Sequence, residues 1–274
     1  MTFTIPVPGA QLNAADDGAG DPLILLHAGI ADLRSWDAIV PLLVDAGFRV
    51  VRYDQRGFGR TETDDVEFSN RADLIAVLDA RGIDRAALVG NSRGGQVAFD
   101  TAIEFPDRVV AVVGVGAGIG GFEHDPTPEE ALVFEELERL EDAEPPDVAG
   151  LADRAVRLWV DGLGQSADRV ARPIREAIRE MTALSHRPGK ANGQPIVLDP
   201  PAAARLADLR YPVLAVAGGL DTSFINAVSQ HIGANAPDGR AVVIPDVAHM
   251  IGMERPVELA SLIAEFLAPL RPWA

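Results

Sequence analysis

The chain has 274 residues, of which 47% are hydrophobic and 24% charged, so it can bury a large core and is not expected to be disordered. Its formal net charge is −17 and Lys190 is the only lysine, which argues against binding to nucleic acids or anionic membranes. The absence of cysteine excludes disulfides, thiolate catalysis and cysteine metal sites.

Six short apolar runs predict strands, and none of them alternates with polar residues. Continuous aliphatic runs are typical of strands buried on both faces, as in a parallel sheet. In chain order the predicted strands are Leu23–Leu26, Arg49–Tyr53, Ala86–Val89, Val109–Val115, Pro212–Ala217 and Ala241–Ile244.

Segments with helical spacing lie between these runs. Asn70 is a candidate N-cap for one of them, and Gly82 a candidate stop signal. Alternation of strands and helices predicts an α/β fold with a doubly wound, mostly parallel sheet. The predicted helices are Ser35–Asp45, Asn70–Arg81, Gly94–Phe105, Phe224–Ala234 and Pro256–Leu267.

The stretch from about Gly118 to Leu206 contains no predicted strand. It has helical patterns near Pro128–Leu140, Asp147–Val160 and Ala167–Leu184. We therefore predict a core of residues 1–117 and 207–274 with an inserted helical cap at 118–206. The glutamates of the first cap helix indicate a solvated face: Glu129, Glu130, Glu135, Glu136 and Glu138.

The segment Gly90–Gly94 matches G-x-S-x-G and lies between a predicted strand and a predicted helix. A very sharp turn is needed at that position, and glycines at both ends leave room for it. The turn would expose the hydroxyl of Ser92 above the sheet, which predicts a nucleophile.

A serine nucleophile needs a base and an acid that orients the base. His249 follows the last predicted strand, and Asp221 follows the strand before it, so the chain order is Ser, Asp, His. Asp246 is a rival acid close to His249, and Glu123 and Asp125 are weaker alternatives. The histidines at other positions are interpreted as structural or surface residues: His124, His186 and His231.

Backbone donors for an oxyanion are predicted at two places. One is the N–H of Arg93, directly after the nucleophile, and the other is the N–H of Gly29 or Ile30 after the first predicted strand. His27 is expected to order this loop and not to act in catalysis.

Several motifs together resemble the α/β-hydrolase fold superfamily: His27-Ala28-Gly29 with Trp36, the turn Arg52–Gly59, the Ser92 motif, and His249 with Glu254 and Pro256. The stretch Asp32–Asp37 is similar to the enol-lactonase branch, whereas Gly90-Asn91-Ser92 resembles hydrolases of carbon–carbon bonds in ring-cleavage products. Within that resemblance Asp54 and Arg56 are expected to be structural.

Two residues depart from the family pattern. Ala28 stands where the family usually has Gly, and Arg93 replaces a Met or Leu. Arg93 either binds a substrate carboxylate or pairs with an acid of the cap.

Large apolar side chains near the site are candidates for substrate binding. Three belong to the predicted cap and two lie beside the predicted acid and base: Phe134, Trp159, Met181, Phe224 and Met250.

The sequence thus predicts a serine hydrolase of a small carboxylic ester or lactone that needs no metal or organic cofactor. The alternatives are a carbon–carbon hydrolase of a dienoate and a small-molecule receptor on the same scaffold. The segment Met1–Pro6 lacks the features of a signal peptide and no apolar run reaches the ~18 residues of a membrane span, so a cytoplasmic location is expected.

Overall fold

The computed structural model describes residues 2–143 and 146–273. Within them, nine strands form one sheet in the order β1-β2-β4-β3-β7-β8-β10-β11, with β5 beside β2, while β6 and β9 form a separate pair. The strands are β1 (Thr2–Val7), β2 (Ala10–Gly18), β3 (Asp21–Leu26), β4 (Phe48–Tyr53), β5 (Glu62–Thr63), β6 (Glu67–Phe68), β7 (Ala86–Asn91), β8 (Val109–Val115), β9 (Gln194–Pro195), β10 (Val213–Gly218) and β11 (Gly239–Ile244).

Helices connect the strands and cover both faces of the sheet. They are α1 (Val40–Asp45), α2 (Asn70–Ala80), α3 (Arg93–Glu104), α4 (Pro128–Glu141), α5 (Val148–Ala155), α6 (Arg172–Ser185), α7 (Ser223–Asn235), α8 (Ile251–Glu254) and α9 (Pro256–Leu267). A π-helical turn, Val156–Asp161, continues α5, and short 3₁₀ turns occur at Leu33–Trp36, Ala167–Arg169 and Ala202–Asp208.

The strands from β4 to β11 along the sheet are parallel, and β1 and β2 add antiparallel partners at one edge. Alternate residues of β3 belong to two different apolar clusters, with Ile24 and Leu26 on one face and Leu23 and Leu25 on the other. The predicted doubly wound, mostly parallel sheet is therefore confirmed. Its parallel strands end at one edge, which is where open α/β sheets bind ligands.

Some sequence-based expectations are wrong in detail. The predicted helices Ser35–Asp45 and Ala167–Leu184 are each interrupted, because Pro41 and Pro173 fit only the first turn of a helix, so α1 and α6 begin beside them. The N-cap of α2 is Ser69, not Asn70, and its hydroxyl accepts the N–H of Ala72.

The edge strand β11 is partly exposed, with 47% of Val243 accessible, and is not buried on both faces as predicted. Strand β9 lies in the predicted cap, where no strand was expected, and pairs with β6. Glu130 is buried and does not belong to a solvated face, because its carboxylate accepts hydrogen bonds from Ser223 N and Thr127 N.

The segment between β8 and β10 carries α4, α5, the π-helical turn and α6. A buried apolar cluster joins it to the loop after β3, with Val156, Val160 and Met181 packed against Ala28 and Ala31. The boundaries 118–206 of the cap stay a prediction, and residues 1, 144, 145 and 274 of the predicted core and cap lie outside the described residues. In the part of the chain that is described, no helix combines the length and apolarity needed to cross a bilayer.

Candidate active site

Ser92 occupies a sharp turn between β7 and α3. Its backbone has φ 54° and ψ −115°, a conformation that is unfavourable for a residue with a side chain. A Cβ at Gly90 would lie 2.2 Å from the carbonyl oxygen of Gly94, and one at Gly94 would lie 2.2 Å from that of Leu26. The flanking glycines are therefore required by close backbone approach, and they hold Ser92 at the carboxyl edge of the sheet.

His249 and Asp221 form a buried pair at the same edge. The imidazole Nδ1 lies 2.7 Å from Asp221 Oδ2, and the two side chains are only 3% and 1% exposed. Asp221 Oδ1 accepts the N–H of Thr222 at 2.8 Å, which fixes the carboxylate. With Nδ1–H donating to the carboxylate, the lone pair of Nε2 is left to act as a base.

The end of β8 joins the serine turn to the histidine loop. The N–H of Ser92 donates to Val115 O at 3.0 Å, and Asn91 Nδ2 donates to Val115 O at 2.8 Å and to His249 O at 3.4 Å. A Cβ at Gly116, where φ is +52°, would lie 3.1 Å from His249 Nδ1. Over residues 2–143 and 146–273 the Ser92 hydroxyl forms no hydrogen bond. In ligand-free enzymes the hydrogen bond between a nucleophile and its base is often long and shortens only when substrate binds.

Trp159, in the π-helical turn, contacts His249 in two ways. Its carbonyl oxygen accepts the N–H of His249 at 3.2 Å, and the ring centroids lie 4.5 Å apart with planes inclined at 44°. The indole thus limits the positions open to the imidazole.

His27 is a structural residue, as expected. Its Nε2 accepts the N–H of Gln55 at 3.0 Å, and its Nδ1 lies 2.8 Å from Ala28 O, so Nδ1 carries the proton and the ring is neutral. Burial lowers the pKa of His27, which favours the same neutral form. Because both ring nitrogens are engaged, His27 orders the loop after β3.

That loop brings backbone N–H groups close to Arg93. Ala31 N donates to Ala28 O in a tight turn, whereas the N–H groups of Gly29 and Ile30 have no acceptor among the described residues. A Cβ at Gly29 would lie 3.8 Å from Arg93 Cδ, so the loop and the start of α3 face each other. The predicted donors are therefore brought together, and their catalytic role stays a prediction.

A cavity of about 490 Å³ opens beside this loop. Of the predicted site residues, Gly29, Ile30, Arg93 and Trp159 line it, whereas the side chains of the Ser, His and Asp set do not. Among its other lining residues are Phe58, Phe68, Leu137, Thr182, Ser185, His186 and Asn192.

The other predicted substrate-binding residues do not line this cavity. Phe134 packs against Trp159 with centroids 6.3 Å apart, and Met181 and Met250 are buried in the cluster beneath the cap. Phe224 contacts Phe122 at 5.9 Å. A role in substrate binding stays a prediction for all five residues.

Sequence reasoning missed the α6 residues on the cavity wall. Thr182 and Ser185 are three residues apart and follow Ile178 and Met181 on one helical face, a spacing that could have revealed them. His186 was interpreted as a structural or surface residue, yet it lines the cavity, and its Nδ1–H donates to Thr182 O at 2.9 Å.

The rival acids and remaining histidines lie elsewhere. Asp246 is exposed in the loop before His249, with φ +56°, and Glu123, Asp125 and His124 are exposed too. His231 packs on Phe122 with centroids 4.9 Å apart.

The geometry can be compared with known proteins. Residues 21–256 match the family described as the alpha/beta hydrolase fold. The chain belongs to the α/β-hydrolase fold family. This α/β hydrolase is similar to a putative 2-succinyl-6-hydroxy-2,4-cyclohexadiene-1-carboxylate synthase of Bacillus subtilis (strain 168), with 27% identity over 96% of each chain.

Two further similarities concern particular hydrolases. A 2-hydroxy-6-oxo-6-phenylhexa-2,4-dienoate hydrolase of Comamonas testosteroni is 34% identical, but the match covers 42% of this chain and only 43% of that protein. The solved structure of Est816, described as an N-acyl homoserine lactone degrading enzyme, is 25% identical with a TM-score of 0.74 and covers 96% of this chain and 100% of that chain.

Proposed function

We propose that this α/β hydrolase is a serine hydrolase that cleaves a small carboxylic ester or lactone through an acyl-enzyme intermediate. The observation that carries the proposal is the buried hydrogen bond between His249 and Asp221, next to the strained turn that holds Ser92. The similarity to Est816, itself described as degrading a lactone, supports the same class of bond.

In the proposed mechanism Ser92 Oγ attacks the carbonyl carbon while His249 Nε2 takes its proton. Asp221 remains ionised and stabilises the imidazolium through Nδ1–H. The N–H groups of Arg93 and of Gly29 or Ile30 donate to the oxyanion. The protonated His249 then gives its proton to the departing alcohol oxygen, and a water activated by His249 Nε2 hydrolyses the acyl-enzyme.

Carbon–carbon bond cleavage beside a ketone is the second candidate. The similarity to the Comamonas testosteroni dienoate hydrolase favours it, and so does Asn91 before the serine. A panel of short esters, lactones and a ring-cleavage dienoate separates the two candidates, since each predicts turnover of a different group. Specific binding of a panel compound without turnover would favour the receptor interpretation instead.

The proposal predicts that Ser92→Ala loses about 10⁴-fold or more of kcat with a 4-nitrophenyl ester, because the proposed acyl-enzyme forms on the Ser92 hydroxyl. The matched control is Ser261→Ala, at an exposed position on α9, which is expected to keep wild-type kcat. Circular dichroism establishes that both variants are folded.

Labelling with a fluorophosphonate gives an independent readout. The label is expected on the peptide that contains Ser92, and Ser92→Ala is expected to abolish it. Retention of wild-type kcat by the folded Ser92→Ala protein would refute the assignment of the nucleophile.

A further inference from the structure

Arg93 carries a half-buried positive charge with no carboxylate partner among the described residues. In the described part of the chain, Arg93 takes part in no ion pair, and its Nε is buried without a hydrogen-bond acceptor. Other buried or half-buried arginines of this region are paired, as Arg56 is with Asp73 and Arg169 with Glu254. Since removing a charge from water without a counterion is unfavourable, a half-buried arginine with an enclosed, unpaired Nε is explained most simply by an anion that binds there.

The side chain of Arg93 lies on the wall of the large cavity. Its guanidinium carbon is 5.3 Å from the ring centroid of Phe58, another lining residue, and its stem lies beside Gly29. Arg93 also follows Ser92 directly in the chain. A carboxylate bound to this guanidinium would therefore be held by the residue directly after the proposed nucleophile.

Nearby acidic groups do not neutralise Arg93. Glu141 lines the same cavity, but its side chain is 63% exposed and lies 3.8 Å from His186 Nε2. Asp100 faces an adjoining cavity of about 140 Å³ that Arg93 also lines, yet no ion pair joins the two residues. Burial raises the pKa of the Tyr53 hydroxyl, so that group remains neutral and cannot serve as the counterion.

We propose that Arg93 binds a carboxylate of the substrate, so that the preferred substrates are anionic esters or lactones, such as monoesters of dicarboxylic acids. This inference rests on the proposed function, because Arg93 directly follows the proposed nucleophile Ser92 in the chain. A guanidinium suits the task because it can donate two parallel hydrogen bonds to a carboxylate.

Two esters of equal length test the proposal: the mono-4-nitrophenyl ester of glutaric acid and 4-nitrophenyl pentanoate. The measured quantity is the ratio of kcat/KM for the charged ester to that for the neutral one. Because hydrogen bonds to charged groups are strong, the wild-type enzyme is expected to show a ratio of about 10 to 100. Arg93→Met, which keeps the apolar stem, is expected to lower this ratio at least about tenfold.

The matched control is Arg240→Met, which removes one positive charge from an exposed position on β11. It is expected to leave the ratio as in the wild-type enzyme. A wild-type ratio near 1, or the same ratio after Arg93→Met, would overturn the proposal.

Binding of glutarate to the Ser92→Ala protein distinguishes a failure of this inference from a failure of the proposed function. Calorimetry is expected to detect glutarate binding that the added change Arg93→Met weakens at least about tenfold. If the enzyme hydrolyses neither ester while this binding is seen, the proposed ester chemistry fails and the carboxylate site is supported. Absence of glutarate binding to Ser92→Ala would overturn the proposed carboxylate site. This result does not depend on the Arg93→Met protein, so it remains decisive if that variant is unfolded.

Discussion

Asp100 on α3 is a buried carboxyl group outside the proposed catalytic set. It is 7% exposed, and its Oδ1 has no hydrogen-bond partner among the described atoms. Burial raises its pKa to about 6, against the opposing effect of the positive charge of Arg71. The folded protein therefore binds this proton more tightly than the unfolded chain does, and stability from this group is lost as pH rises from about 4 to about 6.

We predict that Asp100→Asn increases the free energy of unfolding at pH 8, because the amide carries no charge to desolvate. The increase should be about 1 kcal/mol larger at pH 8 than at pH 5, where the wild-type group is mostly protonated. Urea denaturation at the two pH values measures it, with the exposed change Asp65→Asn as control. An equal effect of Asp100→Asn at both pH values would contradict the prediction.

Local sequence patterns determine where some individual residues lie in the fold. Ser92, Asp221 and His249 each follow a parallel strand, so the topology alone brings them to one edge. In contrast, the lack of a partner for Arg93 and the place of His186 on the cavity wall depend on how the cap packs. No local pattern contains that information.

At the level of elements, Arg169 connects the π-helical turn to the histidine loop. Its guanidinium donates to Val160 O at 2.5 Å and to Asp161 O at 2.7 Å, and pairs with the buried carboxylate of Glu254 at 2.5 Å. Glu254 accepts the N–H of Ala248 at 3.0 Å, directly before the proposed base. Arg169 thus fixes the end of the π-helical turn to the loop that carries His249. Such turns are frequent at functional sites.

We predict that Arg169→Met lowers kcat about 10- to 100-fold and changes KM little, because small displacements of a catalytic group have large effects on rate. The variant leaves the carboxylate of Glu254 buried without its partner, so the loop is expected to shift. Arg169→Lys should recover part of kcat, since it restores the charge but not the full set of hydrogen bonds.

The matched control for Arg169 is Arg172→Met, because the side chain of Arg172 is 86% exposed on α6. Steady-state kinetics with a 4-nitrophenyl ester gives kcat and KM separately. A folded Arg169→Met protein with unchanged kcat would show that the contacts of Arg169 serve stability alone.

The boundaries of helices and strands were predictable only where residues next to the boundary determine it. Pro256–Leu267 is found as predicted, since Pro256 fits the first turn and an apolar face follows it. Strands β1 and β2 were not predicted, because they pair antiparallel at the sheet edge and lack the continuous apolar runs of the central strands. The exposure of β11 is likewise a consequence of its position at the other edge of the sheet.

At the scale of the whole molecule, the net charge of −17 opposes the compact state through self-repulsion. Salt screens this repulsion and also weakens exposed ion pairs, but such pairs contribute only about 0–1 kcal/mol each. Buried pairs such as Arg56 with Asp73 are screened much less. The long-range repulsion should therefore dominate the response of stability to salt.

We predict that the melting temperature rises by a few degrees between about 10 mM and 300 mM KCl, a range that shortens the Debye length from roughly 30 Å to below 8 Å. The triple variant Glu129→Gln, Glu135→Gln, Glu138→Gln changes three exposed carboxylates of α4 and takes the net charge from −17 to −14. It is expected to melt higher than the wild-type protein at low salt and to respond less to added salt. Differential scanning calorimetry in KCl and in NaCl separates screening from ion-specific effects. A fall in melting temperature with either salt would mean that attractive ion pairs, and not the net negative charge, dominate the electrostatic contribution to stability.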